Sequence, residues 1–167
     1  HLYAAPVMID YFKKMDIPNL PVVSPDVGGI KMARAYAKRL SAGLAICDKR
    51  RHGPTETEVI HIIGEVEGRN VLLVDDMIAT GTSIVNAATA CKKNGAQDVY
   101  ICATHPVLAG TAMEKLANSP VKEIIVTDSI PLGDKSLPNL KVLSVAELVG
   151  EAIRRIHKSE SVSSLFL

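Results

Sequence analysis

Apolar residues along this chain fall into short continuous runs separated by stretches in which they recur at helical spacing, the pattern of strands alternating with helices. The organising run is Val71 to Asp75, rich in Val and Leu, which predicts a strand covered on both faces, as in a parallel sheet. It ends in two carboxylates, Asp75 and Asp76. Then come Ala79-Thr80-Gly81-Thr82-Ser83, small and hydroxylated, and a helical pattern from Ile84 to Lys93. Upstream, Pro6 to Met15 predicts an amphipathic helix with Val7, Ile9 and Phe12 inward, and Pro6 suits a first helical turn. Leu20 to Ser24 is a short strand running into Pro25-Asp26-Val27-Gly28-Gly29, with a helix over Ile30 to Leu40. Leu44 to Asp48 is a strand. Lys49 to Thr55 carries no apolar residue to pack and is expected to be mobile. Glu58 to Val66 alternates, is rich in Ile and Val, and turns at Glu67-Gly68 into the organising strand, which predicts an antiparallel edge formed by those two.

Downstream, strands are predicted over Asp98 to Thr104, Glu123 to Thr127 and Lys141 to Ser144, with helices over Ala109 to Ala117 and Val145 to His157. Residues 145–167 make a C-terminal helix and tail. Short connections with right-handed crossovers imply an α/β fold, a parallel twisted sheet flanked by helices, in one domain over residues 1–167. Ligands of such sheets sit at the carboxyl ends of the strands, where Asp26, Lys49, Asp75 and His105 all fall.

That edge carries chemistry. Backbone N–H groups at a helix N-terminus favour an anion, Gly81 lets the backbone approach closely, and Thr80, Thr82 and Ser83 add hydroxyl donors. Asp75 and Asp76 accept hydrogen bonds only, which suits sugar hydroxyls or a magnesium ion, so the implied ligand is a sugar phosphate. Pro25 to Gly29 is a second anion-type loop. Simpler readings stand beside these: Asp75 and Asp76 as loop caps, Thr82 or Ser83 as an N-cap, Asp26 as a turn residue, and Lys49-Arg50-Arg51 as a solvated cluster. His105 ends a strand and reads as structural, His52 belongs to the apolar-free stretch, and His61 lies on a strand face.

Composition narrows the classes. The 167 residues are 47% hydrophobic and 22% charged, with a net charge of +1, so no general pull toward nucleic acid or membrane is expected. Cys47, Cys91 and Cys102 are widely spaced within apolar segments and read as reduced packing thiols of a cytosolic protein, with no metal cage. No apolar run approaches the length of a membrane span, and there is no charged-then-apolar leader. The start at His-Leu-Tyr suggests a piece of something longer.

The string V-L-L-V-D-D-M-I-A-T-G-T-S, Val71 to Ser83, resembles the ribose-5-phosphate loop shared by type I phosphoribosyltransferases and ribose-phosphate diphosphokinases, the enzymes that make phosphoribosyl pyrophosphate (PRPP). Three further stretches resemble the diphosphokinases in particular. Ser24 to Gly29 is similar to their pyrophosphate-binding loop, Asp48 to Arg51 to their mobile catalytic loop, and Glu160 to Phe166 to their C-terminal signature.

The resemblance covers nearly the whole chain and implies the C-terminal half of such an enzyme, on a type I phosphoribosyltransferase-like fold. It implies transfer of diphosphate from ATP to the 1-hydroxyl of ribose 5-phosphate, with Mg2+, giving PRPP and AMP. Carried over to this sequence, Lys49 and Arg51 are the catalytic cations, and Asp75, Asp76, Thr80, Gly81, Thr82 and Ser83 hold ribose 5-phosphate. Asp26, Gly28 and Gly29 hold the diphosphate, with Asp26 on the metal. Ser161, Ser163 and Ser164 contribute to an inter-subunit anion site where phosphate activates and ADP inhibits. A cytoplasmic homo-oligomer, a hexamer built from dimers, is also implied. So is an adenine site held largely by an N-terminal half that this chain does not include.

The sequence departs from the family at Ala79, where an acidic residue is usual, at Gly81, placed as in the transferases, and at Pro106. Two rivals remain: a type I phosphoribosyltransferase that consumes PRPP, and a non-catalytic PRPP-binding regulator. Retention of Lys49 and Arg51 argues against the second.

Overall fold

A computed structural model describes residues 2–50 and 59–166 of the chain. In chain order the elements are α1 (Ala5–Met15), β1 (Val22–Ser24), α2 (Ile30–Leu40), β2 (Leu44–Arg50), β3 (Val59–Ile63), β4 (Val71–Met77), α3 (Thr82–Lys93), β5 (Val99–His105), α4 (Ala112–Ala117), β6 (Glu123–Thr127), β7 (Leu140–Leu143) and α5 (Ala146–His157). A single 3₁₀ turn, Ser163–Phe166, closes the described chain.

The seven strands among the described residues form one sheet in the order β3-β2-β1-β4-β5-β6-β7, parallel except at β3. β4 lies at its centre, and side-chain alternation explains its unbroken apolar run. Val71 and Leu73 join the core beneath α3 and α4, while Leu72 and Val74 join the core beneath α1 and α2. All four are fully buried, as a strand covered on both faces requires. Tyr11 of α1 donates its hydroxyl to Glu123 Oε1 at 2.7 Å, tying that helix to β6.

Several expectations need correction. β3 pairs antiparallel with β2, not with β4: Ile46 stands opposite Ile63 and Lys49 opposite Ile60. Both edges of β4 are already taken by β1 and β5, so an edge strand arriving from β2 has only β2 to pair with. β2 consequently runs on through Lys49 and Arg50, which are strand residues rather than loop. β4 likewise continues through Asp76 to Met77, because Met77 is still in register with His105.

In α1 the inward residues are Met8, Ile9 and Phe12, while Val7 is only half-buried; Ala5, Met8, Ile9 and Phe12 make the i, i+3, i+4, i+7 stripe. α4 begins at Ala112, not Ala109, since Leu108 (φ 48°) and Gly110 (φ 56°) take left-handed conformations that no helix continues through. The helix Ile30–Leu40 and the strand Glu123–Thr127 carry the bounds their periodicity predicts.

Candidate functional site

The carboxyl edge of the sheet gathers the candidate residues because parallel strands end there together. β4 delivers Asp75 and Asp76 in consecutive positions, so alternation sends them to opposite faces, Asp75 half-buried and Asp76 exposed. Asp75 Oδ1 accepts the backbone N–H of Asp76 at 2.9 Å. Burial nonetheless pushes the Asp75 carboxyl up to about 6, and the carboxylates of Asp76 and Asp26 add to the rise. A carboxylate in that condition gains most from a ligand that brings positive charge or hydroxyl donors.

Beyond β4 the chain is zipped to the segment after β5. Ile78 N–H donates to His105 O at 3.0 Å, and Leu108 and Ala109 N–H donate to the carbonyls of Ile78 and Ala79, both at 2.9 Å. Gly81 then turns into α3 at φ 75°. A Cβ there would meet Ala112 at no less than 3.6 Å, so conformation rather than crowding demands glycine. No side chain at the N-cap closes the helix, and the first-turn N–H groups of α3 lack intrahelical partners. Around them stand the exposed hydroxyls of Thr80, Thr82 and Ser83, with Thr80 Oγ1 and Thr82 Oγ1 3.3 Å apart. The arrangement is an uncapped helix start rimmed by hydroxyl donors, next to two carboxylates. It can take an anion and a polyol side by side.

The loop after β1 is built differently. The buried Ser24 hydroxyl donates to Asp26 O at 2.6 Å, and Asp26 Oδ1 accepts Gly29 N–H at 2.9 Å. A Cβ on Gly29 would come within 2.8 Å of Ser24 Oγ, so that glycine is required by packing. Asp26 therefore takes the N–H of Gly29, the N-cap residue of α2, an N–H that an anion would otherwise claim, while the first turn of α2, like that of α3, has no side-chain cap.

Lys49 stands half-buried on β2, two residues beyond the buried Cys47. The Cys47 thiol is lowered chiefly by a hydrogen bond with Cys91; burial opposes this, Lys49 adds to the lowering and Asp26 opposes it. Asp26, Asp75 and Lys49 are thus one electrostatic neighbourhood. Arg51 and His52 lie outside the described residues. Asp26, Asp75 and Asp76 offer oxygen ligands, and no group of three or more His, Cys, Asp or Glu among the described residues forms a cage. That donor set fits a magnesium ion held mainly by water and substrate phosphates.

At the end of β5, Thr104 O accepts from Thr127 Oγ1 at 2.7 Å and from Ser129 Oγ at 2.9 Å. With its only hydrogen so committed, Ser129 Oγ accepts from His105 Nδ1 at 2.9 Å, which leaves Nε2 as the ring's acceptor in the neutral tautomer. His105 is structural through one nitrogen only. Sequence reasoning also missed Lys115 of α4, whose Nζ lies 2.7 Å from Thr82 Oγ1 and 3.3 Å from Thr80 O. Nothing in a six-residue helix signals that reach, since it depends on how α4 docks.

The tail stands apart. Ser161 Oγ accepts Ser163 N–H at 3.2 Å, and Arg155 of α5 donates to Ser161 O at 3.1 Å and to Ser164 Oγ, so the three serines are gathered beside one guanidinium. A hollow of about 380 Å³ opens at the other end of the sheet, between Phe12, Leu20, Pro21, Leu40 and Gly43, and no candidate residue lines it.

The family model of the phosphoribosyl synthetase-associated domain matches residues 50–167. A ribose-phosphate pyrophosphokinase of Gloeobacter violaceus is 49% identical over 168 residues, covering 99% of this chain and 51% of that protein. The crystal structure of phosphoribosylpyrophosphate synthetase from Mycobacterium smegmatis matches with a TM-score of 0.86 and 36% identity, over 93% of this chain and 51% of that one. A purine phosphoribosyltransferase from Pyrococcus horikoshii shares the fold at a TM-score of 0.53 and 17% identity, over 84% of this chain and 79% of that one. The chain spans about half the length of the curated relatives it matches. On these grounds it belongs to the phosphoribosyl synthetase-associated domain family, on the fold shared by PRPP synthetase and the type I phosphoribosyltransferases.

Proposed function

We propose that this chain is the C-terminal half of a ribose-phosphate diphosphokinase and carries its ribose-5-phosphate and diphosphate loops. The observation behind this reading is the uncapped start of α3, rimmed by Thr80, Thr82 and Ser83 and preceded by Asp75 and Asp76, within a chain 49% identical to a ribose-phosphate pyrophosphokinase. The cradle takes the 5-phosphate and the carboxylates take the ribose hydroxyls. In the reaction the 1-hydroxyl oxygen attacks the β-phosphorus of ATP, the bond to the α-phosphate oxygen breaks, the hydroxyl proton is lost, and AMP leaves. Charge on the migrating diphosphate needs positioned cations, the role of Lys49 and Arg51. Magnesium bound through Asp26 would screen the same phosphates. Asp26 holds Gly29 through Oδ1, so its second oxygen can meet the metal with that bond intact; letting go of Gly29 would in addition offer its N–H to the diphosphate.

Further parts of the reading are phosphate and ADP as effectors at Ser161, Ser163 and Ser164, a hexamer built from dimers, and a cytoplasmic location. No helix among the described residues is long and apolar enough to cross a membrane. A transferase consuming PRPP is the alternative favoured by the placement of Gly81. It needs a nucleobase hood, and two Phe, four Tyr and no Trp leave little to build one from. The test is to incubate the longer parent chain with ATP, magnesium and ribose 5-phosphate. AMP and PRPP are expected in equal amounts; a parent that forms neither, but releases diphosphate from PRPP when given a base, is a transferase.

A further inference from the structure

Lys115 has no part in the motifs that define the cradle, yet its ammonium touches it. α4 is docked on the loop by the Leu108 and Ala109 hydrogen bonds to Ile78 and Ala79, and the side-chain-free Gly81 faces Ala112 one turn before Lys115. The half-buried Lys115 thereby brings its ammonium to Thr82 Oγ1 at 2.7 Å and to the Thr80 carbonyl at 3.3 Å.

An ammonium only donates. Thr82 Oγ1 must therefore accept from Lys115, and its own hydrogen has to point elsewhere: toward Thr80 Oγ1, 3.3 Å away, or into the mouth of the cradle. The second contact occupies the Thr80 carbonyl, an acceptor that would otherwise repel an anion. Residues 78–83 contain no cation, and the two carboxylates Asp75 and Asp76 precede them, so the loop's own charge disfavours a dianion. We propose that Lys115 is a positioning residue of the sugar-phosphate site, which turns the Thr82 hydroxyl into a donor aimed at the phosphate and offsets the adjacent carboxylates. This rests on the reading of residues 80–83 as the phosphate cradle.

The test is titration calorimetry of the 167-residue chain with ribose 5-phosphate, for the unaltered protein and for Lys115→Met, Lys115→Gln, Lys115→Arg, Thr82→Val and the Lys115→Met/Thr82→Val double variant. Failure of the unaltered chain to bind would remove the cradle reading itself. Given that it binds, Lys115→Met is expected to weaken affinity roughly 10- to 100-fold, the range of a lost charge-assisted hydrogen bond, at an unchanged unfolding midpoint. Lys115→Arg should retain most of the affinity. Lys115→Gln, which keeps a donor without the charge, should fall between and serves in place of Met if that variant misfolds. Because Lys115 acts in part through Thr82, the double variant should lose clearly less than the sum of the two single losses, the remainder being the charge that Lys115 sets against Asp75 and Asp76. Unchanged affinity in Lys115→Met and Lys115→Gln, or strictly additive losses, would overturn the proposal while leaving the cradle in place.

Discussion

At the scale of single residues, Asp75 makes stability depend on pH. An aspartate ordinarily titrates near 3.9, and burial first, then Asp76 and Asp26, raise this one to about 6. The folded protein thus binds the proton more tightly than the unfolded chain. The resulting stabilisation is complete below about pH 4 and is lost as the pH rises through about 6. Asp75→Asn should therefore raise stability above pH 7 by about 1–2 kcal/mol, less than the full shift because the carboxyl keeps some solvent contact, and change little at about pH 3.5. Unfolding midpoints of the two proteins at both values check this; equal gains at both would mean that ionisation is not the cause. Gly81 gives a second case. Its φ of 75° is strained for any L-residue, but a Cβ has room, so Gly81→Ala should cost about 1–2 kcal/mol and the β-branched Gly81→Val more, read from denaturant midpoints. The need for a glycine was legible in Thr-Gly-Thr-Ser. That Asp26 would close over Gly29, and that Lys115 would reach Thr82, was not, because both depend on side-chain placement across a tertiary contact.

At the scale of elements, legibility followed how far each was determined by its own residues. Val71 to Val74 announces a doubly covered strand because every position is buried, whichever strands flank it. β3 announces only alternation, and which edge it takes depends on β4 having none to spare. The last helix and the tail behave as a unit. Glu151 is held down at about 2, first by Arg154 and then by Arg155, and Arg155 goes on to gather Ser161 and Ser164. Arg155→Ala should free residues 159–166 with little change in global stability, since the contacts lie at the surface. Limited proteolysis followed by mass spectrometry is the check: cleavage after Lys158 should accelerate, and an unchanged cleavage rate would mean that the tail is held by other contacts.

At the scale of the whole molecule, the chain spans about half the length of the relatives it matches, and α5 carries exposed apolar residues. Val149, Ile153 and Ile156 project from α5 at helical spacing, with Ile153 63% and Ile156 68% exposed. An apolar stripe of that kind normally has a partner. The isolated chain is expected to self-associate more than its net charge of +1 alone explains, and Ile153→Glu/Ile156→Glu should reduce this in sedimentation experiments without affecting ribose 5-phosphate affinity. On the function proposed above, the same chain should bind ATP weakly and form PRPP poorly by itself; robust synthesis by the 167 residues alone would place the adenine site within them.

The zipper between the two loops carries a further consequence. Leu108 and Ala109 amides can exchange with deuterium only when the segment after β5 lets go of Ile78 and Ala79, so their exchange rates clock the opening of the cradle from outside it. A sugar phosphate held by Thr80 and Thr82 would slow that clock at two residues it never touches.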